Sequence, residues 1–406
     1  MTGPLPGTET SSIAVTGVGV LTPLGDGPGA LFGAMRAGRV AVESVPELGG
    51  SGLARIHDFD ATRYANVRGM RLYSRATRLG ICATKLALAD AGLDGAQAVA
   101  GESLGLVCAS TFGHLETLLE YDRSLLTAGL QRTNPALMPL GLPSTPGAAI
   151  ALGFGAKAFS VTVSDGGASS LDALGVAARC VSKGRARACV VVAASAHCHE
   201  LALLAWRAAL LAPAEGYRVL DRGSCGLALG EAAVALVLER TVDAHKRGVP
   251  ARAVFRGHAS SFASSGGERA SALRRACASA LARAELNPTE VGLWSSGANG
   301  SAADDRAEAL ALGELMGDRA ARTPLMAAKA NLGECLEASG LVEVVAALTA
   351  LRERRAPPIA RLEEPALPGL FYPRQEVELT TRSALVTSCS STGACSALLL
   401  SVQDDP

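Results

Sequence analysis

Long uncharged apolar runs are missing from this chain of 406 residues, although 49% of it is hydrophobic. A membrane-spanning helix needs about 18 or more such residues in succession, so no span is expected. Excess charge of either sign is also missing, because 38 Lys and Arg balance 38 Asp and Glu. That balance argues against a nucleic-acid or polyanion binder, which requires a basic surface. Aromatic residues are scarce at 4%. The interior must then be built from Ala, Val, Leu and Gly, which implies closely packed strands and helices. The ten cysteines (Cys82, Cys108, Cys180, Cys189, Cys198, Cys225, Cys277, Cys335, Cys389 and Cys395) include no C-x-x-C pair. Their spacing matches neither a zinc site nor a disulfide framework. Most sit in apolar runs, as small buried thiols do in a reducing cytosol, and a cytoplasmic location is expected. The first eleven residues are polar and lack the apolar core of a signal peptide; they are expected to be flexible.

What is present is organised around residues 161–184, VTVSDGGASSLDALGVAARCVSKG. A β run at 161–163 leads into a polar turn at 164–167. A helix follows, with Ala168, Leu171, Leu174, Ala178 and Val181 at helical spacing and Gly184 at its C-cap. A sharp strand–turn–helix presents one residue at a helix N-terminus, where partial positive charge lowers a thiol pKa and assists a nucleophile. Here that residue is Gly167, which has no nucleophile to present.

The length exceeds what one simple core usually needs, so two domains or two fused halves are expected. The pattern predicts a buried strand over 12–21, a loop over 36–60, a helix over 72–92 and a strand over 104–110. The helix–strand order recurs at 270–285 and 291–295, and LALADAGL (86–93) resembles ALARAEL (280–286). A duplicated unit divides the chain into halves, 12–248 and 249–406, parted by the polar stretch 243–250. A helix over 113–127 precedes a proline-rich segment, and residues 188–195 read as a fully buried strand. His197-Cys198-His199 invites a metal reading. Residues i and i+2 of an extended chain face opposite ways, however, and no third ligand is near in sequence, so no metal is expected.

Five anchors recur in order along the chain. The first comprises Gly17, Gly19, Thr22, Pro23 and Gly25. The second is Ala168-Ser169-Ser170-Leu171. The third comprises Arg218, Asp221, Gly226, Gly230 and Glu231, the fourth Asp305 and Glu308, and the fifth Lys329, Gly333, Ala338, Ser339 and Gly340. Together they resemble the β-ketoacyl synthase family. The resemblance implies an α/β thiolase fold with five αβαβα layers built from two related halves. Condensing members of the family use Cys-His-His. The cysteine carries the acyl chain as a thioester, and the histidines help decarboxylate a malonyl unit and stabilise the enolate. Laid on this chain, the cysteine falls on Gly167, the first histidine on Gly297 and the second on Glu334, while Lys329 is retained. The histidine inventory agrees without any alignment. The six are His57, His114, His197, His199, His245 and His258, none within thirty residues of Gly297 or Glu334. The vestigial site would be lined by Asp165, Gly166, Asn299, Ser390, Ser391, Thr392 and Gly393.

The resemblance implies a catalytically silent subunit, most like the chain-length factors of type II polyketide synthases. Its expected partners are an active ketosynthase, as a heterodimer, and acyl carrier protein. No cofactor, nucleic acid or membrane is implied. Aromatic chain-length factors carry Gln at the cysteine position, and Gly167 offers no amide, which suggests a divergent clade handling polyenes or other reduced chains. The family places a tunnel-lining helix at 113–127. There His114, Thr117 and Tyr121 share one face and Leu118 and Leu125 the adjoining stripe. Tyr121 corresponds to the gate position, and the residues alone equally allow an ordinary core aromatic. Two other readings stay open: an acyltransferase or hydrolase using another thiol or Glu334, and a structural scaffold with a filled tunnel. Cys335 beside Glu334 is a poor nucleophile pair, because a carboxylate destabilises a thiolate. Asp165, Glu334 and Lys329 read as a buried, salt-bridged filler of the site.

Overall fold

The computed structural model describes residues 12–94 and 100–403; the segment 1–11 expected to be flexible lies outside them. Ten strands form its framework. The first five are β1 (Ile13–Thr22), β2 (Leu104–Ala109), β3 (Phe159–Val163), β4 (Ala188–Ser195) and β5 (Ala232–Arg240). The second five are β6 (Ala253–Phe262), β7 (Leu293–Ser295), β8 (Leu325–Met326), β9 (Ser383–Cys389) and β10 (Ala394–Ser401). Their spatial order is 8-7-9-10-6-1-5-4-2-3. From the middle outward each set runs first, fifth, fourth, second, third. In each set the second strand pairs parallel with the third and fourth, and the fifth pairs antiparallel with the fourth and first. Two related halves are therefore written into the hydrogen bonding. They join where β1 and β6 pair over only three positions, Ile13–Phe255 to Val15–Ala253.

Seven helices complete the layers: α1 (Arg75–Asp90), α2 (Leu115–Ala128), α3 (Thr145–Phe154), α4 (Ser169–Ser182), α5 (Arg269–Ala284), α6 (Ala302–Met316) and α7 (Ser339–Glu353). α1 and α3 cover the outer face of the first half-sheet, and α5, backed by α6, covers that of the second. α4 and α7 fill the middle. α4 touches β2 and β4 on one side and β6 and β10 on the other. This is the expected five-layer α/β thiolase arrangement. It explains the composition: β4 is buried on both faces and reads as one apolar run, ACVVVAAS. α7, in the central layer, is buried from Ser339 through Leu351. No described helix is long and apolar enough to cross a membrane.

The segment 36–60 is not all loop. Glu43–Val45 and Ser51–Ala54 pair antiparallel through a turn at Gly49 and Gly50, both with positive φ, and Ser51–Ala54 also pairs with Leu229–Gly230. Strands this short show no hydrophobic period of their own. His199 opens a helix, His199–Arg207, so the extended-chain argument for the His-Cys-His triplet does not describe its geometry.

Candidate functional site

A cavity of about 480 Å³ lies at the N-terminal end of α4, where the halves meet. Its walls include Asp165, Gly166, Gly167, Asn299, Glu334, Ser390, Ser391 and Thr392, drawn from distant parts of the sequence. Gly297 and Lys329 lie behind this wall, and Gly393 sits in the β9–β10 turn without lining the cavity. No residue of the segment read as a tunnel helix lines the cavity; Thr111 and Phe112, just before it, do. His114, Thr117, Leu118, Tyr121 and Leu125 do not line it; Thr117 is buried and the other four are half-buried.

Position 167 is closed to side chains. A Cβ there would stand 2.5 Å from the carbonyl oxygen of Cys389, a backbone atom that cannot swing aside, and the Gly167 carbonyl accepts a 2.7 Å hydrogen bond from Ser388 Oγ. Its φ is not positive, so the contact rather than the conformation demands glycine. Gly297 is closed in the same way: a Cβ would lie 2.9 Å from both Ser388 Cα and the Thr387 carbonyl oxygen. The Gly297 amide donates to Glu308 Oε1 at 2.9 Å, and its carbonyl accepts from Lys329 Nζ at 2.8 Å.

At the third position Glu334 takes up the charge of Lys329. Lys329 Nζ donates to Glu334 Oε2 at 2.8 Å, Ser339 Oγ to Glu334 Oε1 at 2.6 Å, and Asn299 Nδ2 to Oε2 at 3.2 Å. Burial works against both charges. For Lys329 the Glu334 carboxylate outweighs it, with Glu343 and Glu308 beyond, and the ammonium pKa stays above its ordinary value. For Glu334 the Lys329 charge and its hydrogen bonds outweigh burial and hold the carboxyl below its ordinary value. Behind this pair Glu343 accepts from Ser295 Oγ and from the Ala328 amide, and burial pushes its carboxyl up to about 7. The expected three-residue cluster needs correction: Asp165 is exposed towards the cavity and forms no part of the Lys329–Glu334 pair. It projects from a turn whose hydrogen bonds run through backbone and Ser169, which leaves its carboxylate outward.

Cys335 is fully buried, and burial together with Glu334 pushes its thiol well up, as a poor nucleophile requires. No histidine lines the cavity among the described residues. The third anchor is structural. Asp221 accepts the amides of Gly223, Glu363 and Glu364, and the buried Glu231 pairs with the half-buried Arg75. One residue escaped sequence reasoning. Glu337, fully buried, accepts the amides of Thr111 and Phe112 at 3.2 and 3.0 Å and so holds part of the cavity wall. Its only sequence signal is a second acid three residues after Glu334. Among the described residues, the cavity wall pairs no cysteine with a histidine.

Comparison with known proteins places these features in context. The model for the beta-ketoacyl synthase N-terminal domain matches residues 10–244, and that for the C-terminal domain matches 252–363. A Streptomyces halstedii protein assigned as a polyketide beta-ketoacyl synthase 1 is 30% identical, covering 96% of this chain and 97% of its own. The tetracenomycin polyketide synthase ketoacyl synthase alpha subunit of Streptomyces glaucescens is 29% identical over 87% of this chain and 88% of its own. Among solved structures, the ishigamide ketosynthase/chain length factor superposes with a TM-score of 0.90 at 23% identity, covering 97% of this chain and 100% of that one. A type II polyketide synthase ketosynthase in complex with its acyl-carrier protein gives 0.86 at 21% identity, over 98% and 100%.

Proposed function

This chain belongs to the beta-ketoacyl synthase family, and we propose that within it the chain is a non-catalytic, chain-length-factor-like subunit. It would pair with an active ketosynthase and shape the acyl tunnel while a polyketide or polyene chain grows on acyl carrier protein. The observation that carries this reading is the exclusion of any side chain at position 167 by the Cys389 carbonyl. The charge-neutralised Lys329–Glu334 pair supports it, because it fills rather than equips the position of the second histidine.

The need for a partner is supported by what the first half leaves uncovered. β3 is an edge strand, paired on one side by β2 among the described residues, and its burial is only partial. The segment between β2 and the end of β3 exposes Leu126, Leu130, Met138, Leu142, Leu152 and Val161. Free strand edges and exposed apolar surface are features that a second subunit covers. A relative is described as a ketosynthase/chain length factor and another as a ketosynthase complexed with its acyl-carrier protein. We assign the same two partners here. The two halves of the chain, 12–248 and 249–406, serve in this reading as one ketosynthase-like body.

The test is acylation. Incubation with acyl-loaded carrier protein should leave the intact mass unchanged; a stoichiometric adduct on any cysteine would overturn the silent-subunit reading. The gate assignment is tested separately. In the assembled pair Tyr121→Ala should lengthen the products at a packing cost of about 2–4 kcal/mol or less, since the ring is only half-buried. Unchanged product length from a folded complex would refute it.

A further inference from the structure

Cys389 and Cys395 face each other across the β9–β10 hairpin with their sulfurs 3.2 Å apart. The Ser390 amide donates to the Ala394 carbonyl at 2.7 Å, so 390–394 is the hydrogen-bonded pair and 389–395 the adjoining non-hydrogen-bonded one. Opposed Cα atoms at such positions approach to about 4.5 Å, within the range of about 4.4–6.8 Å that a disulfide spans. Closing an S–S bond of about 2 Å asks the sulfurs to move roughly 1 Å, with the strands where they already are. Cys389 is a half-buried residue of the cavity wall, and Cys395 is buried beside it. Arg269 brings positive charge to the turn: it donates to the Ser390 carbonyl at 3.1 Å and pairs with Asp304 at 3.1 Å. The Cys389 thiol donates to Cys395; this bond and burial push the Cys389 thiol up, while the same bond, with Arg269, holds the Cys395 thiol below its ordinary range against burial.

We propose that Cys389 and Cys395 are a reversible dithiol–disulfide pair in the wall of the cavity, closed by a small hydroperoxide. The Cys389 sulfur attacks the terminal hydroxyl oxygen of ROOH. The O–O bond breaks, the departing oxygen takes the thiol proton and leaves as ROH, and Cys389 becomes a sulfenic acid. Cys395 then attacks the Cys389 sulfur. The S–O bond breaks, and the hydroxide leaves with the Cys395 proton as water. Two thiols and one hydroperoxide become one disulfide, one alcohol and one water, and a dithiol reductant reverses the change by being oxidised itself. The closed form ties the base of the turn that carries Ser390, Ser391 and Thr392 into the cavity. This chemistry stands whether or not the chain is a silent subunit.

The experiment treats reduced protein with hydrogen peroxide, alkylates the remaining thiols and maps the peptides. Expected is a loss of two hydrogens in mass, confined to the peptide starting at Ser383. Label should be lost at Cys389 and Cys395 together, and dithiothreitol should restore it. Because this is read on the unsubstituted chain, it does not depend on whether serine variants fold. Where Cys389→Ser does fold, Cys395 should keep its label under the same treatment. Full alkylation of both thiols after the exposed Cys225 has been oxidised would overturn the proposal. So would a terminal sulfinic acid on Cys389 with Cys395 still free.

Discussion

The turns that lead into α4 and α7 repeat one pattern, Ala168-Ser169-Ser170-Leu171 and Ala338-Ser339-Gly340-Leu341. Each follows a single 3₁₀ turn. Ser169 Oγ accepts the Asp165 amide at 2.6 Å, and Ser339 Oγ accepts the Cys335 amide at 3.0 Å, four residues back in both cases. The two copies touch: a Cβ at Gly340 would lie 2.7 Å from Ser170 Oγ, and Ser170 Oγ accepts the Leu341 amide. They differ at the position two residues before the serine. In the first half it is Gly167, facing the cavity; in the second it is Glu337, fully buried and bonded to the Thr111 and Phe112 amides. One backbone device presents a residue to the cavity in one half and braces the neighbouring wall in the other. What decides between the two uses is burial.

The largest effect that would break this comparison lies on the charged side of the cavity. Lys329→Met should cost about 3–5 kcal/mol in denaturant unfolding, because it strands Glu334 as a buried, unpaired charge. The exposed Asp165→Ala on the first-half turn should stay within about 0.5 kcal/mol. Equal costs would mean that the second half carries no special electrostatic burden. Replacing both members, Lys329→Met with Glu334→Leu, should recover much of the loss.

A pH effect comes next. Glu343 titrates near its ordinary value when unfolded and at about 7 when folded. The folded state therefore holds a proton that the unfolded state has already lost. Stability should fall as pH rises from about 4.5 to about 7 and level off above, by roughly 3 kcal/mol at most. Glu343→Gln should flatten that slope in thermal melts across the window; an unchanged slope would remove Glu343 as its source.

Smaller again is Gly167→Ala, expected to cost about 1–3 kcal/mol through overpacking against the Cys389 carbonyl. A neutral change would show that the hairpin yields. Last are the paired serines. Ser169→Ala should cost about 1 kcal/mol. Ser339→Ala should cost more, because its hydroxyl also donates to the Glu334 carboxylate. Equal losses would mean that this added bond contributes nothing.

The repeat was legible in part because strand type shows in local composition. β4 and the helix after Gly167 could be read from an apolar run and a spacing, and the vacated positions from anchors that lie near them in sequence. Glu337 was not legible, because its partners are the amides of Thr111 and Phe112, more than two hundred residues away. Asp165 was misplaced for the same reason: a carboxylate near Glu334 in space need not point at it. The thiols of Cys389 and Cys395, six residues apart, meet only because the chain turns between them.

The closure of position 167 also bears on what a substitution there could restore. A glycine-to-cysteine change would place a thiol where the Cys389 carbonyl already stands. The hairpin backbone would have to retreat at once, and both histidine positions would remain occupied by Gly297 and Glu334. Each of these substitutions taken alone carries a structural cost. A cysteine at position 167 would thus need a moved hairpin and two further substitutions before a Cys-His-His set stood in this chain.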